Sequence, residues 1–144
     1  MHVQSISAWA APAIGPYSQC NRMGDILVLA GQIGLYSAKL ELVSNSIVTQ
    51  YLQVKHNFNQ VIRETSKSSS LIWQQIAKSA IVYISEDANI SELMPHLKKD
   101  LAFLPEASIL VRVAKLPMNC QVEIEILCEL TDKISCKQNL MVPA

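Results

Sequence analysis

Within residues 46–62, "SIVTQYLQVKHNFNQVI", apolar side chains recur every three or four positions at Ile47, Tyr51, Val54, Phe58 and Val61/Ile62. That spacing predicts an amphipathic helix of about four to five turns, ended by the polar run "SKSSS". The chain before it has a shorter period. "VQSIS" (3–7) alternates and predicts a short strand. "YSQCNR" and "ILVLAG", separated by "MGD", predict a hairpin. Further on, "IAKSAIVYIS" (76–85) predicts a mostly buried strand. "EDANIS" supplies capping residues for a second helix that gathers Ile90, Leu93, Met94, Leu97 and Leu101 on one face. Pro95 fits that helix only in its first turn, which puts the start near Ser91 or later. "SILVRVAKL" and "NCQVEIEILCEL", joined by "PM", predict an antiparallel pair. The order β-β-β-α-β-α-β-β describes an α+β domain with two helices laid on one face of a sheet.

The last strand reads most sharply. Cys120, Val122, Ile124, Ile126 and Cys128 share one face, directed to the core, while Gln121, Glu123, Glu125 and Glu129 share the other. Three acids on one strand face read as a solvated surface unless that face borders a cleft.

Composition narrows the classes. The 144 residues suit one domain, expected over 1–132 with a tail at 133–144, and half of them are hydrophobic against 17% charged. Net charge is zero, which gives no general attraction to nucleic acid or to acidic lipid. The apolar runs "ILVLA" and "AIVYI" are too short to cross a bilayer, and the N-terminus lacks a signal-peptide layout. Cys20, Cys120, Cys128 and Cys136 form no CxxC pair and no metal-type spacing with His2, His56 or His96. They read as reduced cytosolic thiols, two or more of them in the core, in a cytoplasmic protein with no metal and no cofactor. Nothing ties His56 or His96 to a nucleophile, and the glycines of "GDILVLAGQIG" are spaced along a strand instead of around a phosphate. Lys98–Lys99 is the only adjacent basic pair and reads as a solvated helix face.

Two longer stretches carry a resemblance. "APAIGPYSQCNRMGDILVLAGQIGL" resembles the N-terminal signature of the Rid (YjgF-like reactive intermediate deaminase) family, and "EASILVRVAKLPMNCQVEIEI" resembles its C-terminal signature. "HNFNQVI" resembles the helix between them. The resemblance implies a chorismate-mutase-like fold, assembled as a homotrimer with small-molecule ligand clefts between subunits. In active members an arginine of the C-terminal signature grips the carboxylate of a 2-imino acid while a positioned water hydrolyses the imine. A guanidinium fork suits that task because it matches both carboxylate oxygens.

The resemblance places Tyr17, Gly31 and Glu123 on the family's tyrosine, cleft glycine and water-associated acid, and Ser108 where the arginine stands. Serine has one neutral donor and cannot replace that clamp. Arg112 lies about 13 Å along the same strand face. Ala30 and Leu110 stand where many members have serine and cysteine. Gly31 and Tyr17 also have structural roles, the first in close backbone approach and the second in packing at a subunit interface.

The flank "VQSISAWAAPAIGPYSQ", with Trp9, is similar to the Rid-like modules of eukaryotic diphthine–ammonia ligases, which use ATP in a separate N-terminal domain to complete diphthamide on elongation factor 2. This resemblance implies a non-catalytic assembly or ligand-sensing module of a longer ligase, either trimeric or paired with a second such module, without nucleic-acid or membrane partners. The alternative is a stand-alone 2-imino acid deaminase with an altered clamp. Endoribonuclease-like activity is the weakest reading, since the chain has neither net positive charge nor a basic stripe.

Overall fold

Met23 and Ile26 face each other across a two-residue loop in which Gly24 adopts a φ of 58°. This hairpin, β2 (Cys20–Met23) and β3 (Ile26–Gln32), starts the sheet, and β1 (His2–Val3) adds antiparallel to β2. The structure is a computed structural model that describes residues 2–3, 20–36, 39–102 and 107–130. Trp9, Tyr17, Cys136, the rest of the predicted first strand and the predicted tail 133–144 lie outside the described residues.

The predicted long helix is α1 (Ile47–Ser66). Ser46 Oγ accepts from Thr49 N at 3.4 Å at one end, and Lys67 closes the other at a φ of 59°. Its predicted apolar face is fully buried. A single turn, α2 (Trp73–Ile76), follows and leads into β4 (Ala77–Ser85). Then come α3 (Ile90–Asp100), β5 (Ser108–Val113) and β6 (Val122–Glu129), with a 3-10 turn at Pro117–Asn119. The helix α3 begins at Ile90, capped by Asn89 Oδ1 accepting from Ser91 N at 3.2 Å. Pro95 therefore sits in the second turn instead of the first. It lies on the exposed side, where water can replace the hydrogen bond to the Ser91 carbonyl that its ring forgoes.

The six strands run in the order β1-β2-β3-β6-β4-β5. This corrects the expected β5–β6 pair. β5 joins β4 in parallel, Ser108 opposite Ala80 and Val113 opposite Ser85, while β6 lies between β3 and β4 and is antiparallel to both. The connection through α3 supplies the crossover that a parallel neighbour needs and carries β5 to the sheet edge. β6 then fills the centre, where its alternating apolar face has strands on either side.

One core holds the layers together. Tyr51, Val54, Phe58, Val61 and Ile62 of α1 and Leu93 and Leu97 of α3 share it with Val82, Ile84, Val122, Ile124 and Ile126 of the sheet. Both long helices therefore cover the same face. The opposite face stays open over much of its area: Ile26 is 40% exposed, Val28 42% and Leu127 37%. Among the described residues it is covered at one end, where Ile33, Leu35, Leu116 and Cys120 pack with Tyr83 and Val113. Buried amides of α1 hold that cover. Asn57 Nδ2 donates to the Leu35 carbonyl at 3.1 Å, and Gln50 accepts from Gln121 N at 2.8 Å while donating to Ser44 O at 2.9 Å.

Candidate functional site

On the open face, β3 loses its register against β6 between Leu29 and Gln32, and the irregularity carries Gly31 past the strand. The freed space is taken by the Glu123 carboxyl. A Cβ added to Gly31 would overlap Glu123 Oε1 and stand 3.1 Å from Cδ. The glycine is needed here for what it lacks, since any side chain evicts that carboxyl. Glu125 follows on the same face, and Tyr83 of β4 stands opposite Glu123. The strip Gln121, Glu123, Glu125 and Glu129 is half-buried, not the solvated surface that three acids suggested.

Partial burial and the neighbouring Glu125 charge together push the Glu123 carboxyl above its ordinary value. Burial, then Glu125 and Glu123, push the Tyr83 phenol up as well. Cys120 near this end is pushed up to about 12 by burial and by Glu123, so it stays an unreactive thiol. A carboxyl with raised proton affinity, held over a bare stretch of backbone, can take or give a proton to a water placed there.

The inner face of β5 carries the other predicted residue. Ser108, Leu110 and Arg112 pair with Ala80, Val82 and Ile84, all buried under the helices, so the three point to the helical side. Ser108 lines a cleft of about 320 Å³ between β5 and α3, with Met94, Leu97, Lys98, Leu101 and Leu110. It lies two strands from Glu123 and three residues out of line, roughly 14 Å between backbones, on the opposite face. A single chain thus unites Gly31 with Glu123 but does not bring Ser108 to them, and Tyr17 lies outside the described residues.

The model of the endoribonuclease L-PSP family, the Rid or YjgF family, matches residues 8–130. The chain belongs to this family. It is 29% identical to the chloroplastic reactive intermediate deaminase A of Arabidopsis thaliana over 87% of its length and 65% of that protein. It is 30% identical to the diphthine–ammonia ligase of Schizosaccharomyces pombe over 88% of its length but only 20% of that enzyme. A solved Rid-family protein of unknown function from Yersinia pestis superposes with a TM-score of 0.74 at 26% identity, covering 90% of this chain and all of its own. The mixed sheet with helices on one face is the YjgF type of α+β fold.

All three arginines of this Rid chain are committed to backbone. Arg112 Nη1 donates to Glu86 O at 3.1 Å and to the Ser85 and Ala88 carbonyls at 3.5 Å, tying down the loop that starts α3. Arg22 donates to Gly24 O and Thr65 O, and Arg63 to Leu71 O. The Arg112 guanidinium thus serves its own loop. Elsewhere, α1 meets α3 through Asp100, whose Oδ2 accepts from Tyr51 Oη at 2.5 Å and Lys55 Nζ at 2.9 Å. That junction is structural, holding the C-terminal end of α3 against α1. Among the described residues no helix is long and apolar enough to cross a membrane.

Sequence reasoning missed Lys98 and Tyr83 as neighbours of these sites. The alternation of β6 already put Glu125 beside Glu123. No sequence signal gave the strand neighbour Tyr83, and Lys98 read as solvated because its helix position faces outward.

Proposed function

We propose that this chain is a Rid module without imine deaminase chemistry, serving assembly or ligand sensing within a diphthine–ammonia ligase. The observation that carries the reading is the fate of its guanidinium groups. Ser108 stands on the inner face of β5 where the family resemblance expects the carboxylate clamp, and every arginine of the chain is spent on backbone carbonyls. A 2-imino acid would leave its carboxylate without a bidentate partner, which removes the orientation on which attack by water depends. The 30% identity to the fission-yeast ligase supports the placement in diphthamide synthesis.

In this reading the module works as a homotrimer or pairs with a second Rid-like module. The exposed row of Ile26, Val28 and Leu127 supports this, since a contiguous apolar sheet face is covered by association. Size-exclusion chromatography with light scattering tests it: Val28→Glu should shift the chain to monomer, and an unchanged mass for this variant counts against it.

A second reading, a deaminase with an altered clamp, draws on the Gly31–Glu123 contact and the raised Glu123 carboxyl. An assay with 2-aminoacrylate generated in situ separates the two. The first reading expects hydrolysis at the rate of the buffer. The second expects acceleration that Glu123→Gln abolishes.

A further inference from the structure

Without an arginine at Ser108, the cleft between β5 and α3 has walls of Val82, Met94, Leu97, Leu101 and Leu110. Its volume, about 320 Å³, lies at the lower end of the range for small-molecule sites, roughly 300–1,000 Å³. One charged side chain, Lys98, stands among its described lining residues, with the hydroxyl-bearing Ser108 on the same lining. Lys98 is exposed and makes no ion pair among the described residues. Here Lys99 follows, and no acid is among the described lining residues. Beside it, Ile109 and Leu110 are 57% and 42% exposed on an edge strand.

We propose that this cleft binds an amphipathic anion, an apolar tail carrying one carboxylate, with the tail along Met94, Leu97 and Leu110 and the carboxylate at Lys98. The inference rests on the reading that the Ser108 side of the domain holds a ligand instead of turning it over. It assigns the cation to α3, one element away from the clamp position on β5. An ammonium is a point charge without the fork of a guanidinium, so it attracts a carboxylate without fixing its plane. Such a site senses or stores an acid and does not align one for attack.

Octanoate is the probe, with octan-1-ol as its neutral counterpart, titrated into the full chain with ¹³C-labelled methyl groups. Octanoate should shift Met94, Leu97 and Leu110, and each methylene removed should weaken it about fourfold. Lys98→Met keeps the apolar stem and removes the charge at an exposed position. It should weaken octanoate about fivefold and leave octan-1-ol within twofold. No shift at the cleft, shifts confined to the methyls of Val28 and Leu127 on the open face, or an equal effect of Lys98→Met on both ligands overturns the proposal. Binding is read without turnover, so such a failure leaves the non-deaminating reading in place. Imine hydrolysis by the wild-type chain would sink that reading and leave the binding result as measured.

Discussion

Replacing Asp100 by alanine tests how α1 and α3 are joined. Tyr51 is fully buried and its hydroxyl donates to Asp100 at 2.5 Å, while Lys55 lies 2.9 Å from the same oxygen. Truncation leaves the phenol buried without its acceptor, which costs about 1–3 kcal/mol. Loss of the part-buried ion pair adds ~0.5–1 kcal/mol. A total near 3 kcal/mol lowers Tm by roughly 6–12 °C for a chain of this size. Tyr51→Phe removes the hydroxyl together with its need and should cost only about 1 kcal/mol. The double variant should then fall short of the sum by ~1 kcal/mol, because the pair acts as one unit. The pH dependence adds a second constraint. Burial raises the Asp100 pKa, but the bonds from Tyr51 and Lys55, the Lys55 charge and Gln74 outweigh it and hold the carboxyl below its usual 3.8. A carboxyl depressed in the folded state contributes its stability above the unfolded value and loses it as pH falls through the folded one. Thermal melts of wild type and Asp100→Asn at fixed protein concentration should therefore differ fully above about pH 4 and converge below it. A Tm change under about 2 °C for Asp100→Ala, or a difference that stays constant into strong acid, refutes the reasoning.

Other positions give independent checks. Glu123 is held above its ordinary 4.5, so its ionisation opposes folding as pH rises through the folded value; Glu123→Gln should raise Tm at pH 7, on the order of 2 °C, with the gain vanishing below about pH 4.5 in the same melts. Gly31→Ala should cost about 1–2 kcal/mol in urea unfolding by displacing the Glu123 carboxyl, and Glu123→Ala in the same chain should recover most of it. Arg112→Met frees three loop carbonyls, and hydrogen exchange at Glu86–Ala88 should speed up while the centre of β6 stays protected.

The parts of the fold that were legible in the sequence are those where one residue's neighbours follow from period alone. Ile47 to Ile62 announced a helix face, and Cys120 to Cys128 announced a core-facing strand, since burial on one side forces each pattern. Period does not say which strand lies alongside. β5 and β6 are adjacent in sequence and were expected to pair, yet the α3 crossover sends β5 to the edge beside β4. A single turn such as α2 is too short to show a period at all. Asn57 and Gln50 occupy polar positions of α1 and are nonetheless buried, because they serve carbonyls and amides of the segment folded over them. Of the candidate site, the Gly31–Glu123 pairing rested on family resemblance, and its physical basis, a carboxyl filling the space of an absent Cβ, needed coordinates. Ser108 could be placed on a strand from sequence. Its separation from Glu123, across two strands and the sheet itself, could not, since faces and distances between non-adjacent strands depend on topology.

The central proposal is that this Rid chain, with Ser108 where the family resemblance expects the clamp and its arginines bound to backbone, does not hydrolyse 2-imino acids. The direct measurement is the decay of 2-aminoacrylate, generated in situ, with and without the purified wild-type chain. The account predicts decay at the buffer rate at every protein concentration tried. Decay that accelerates in proportion to the protein and is lost in Glu123→Gln contradicts it.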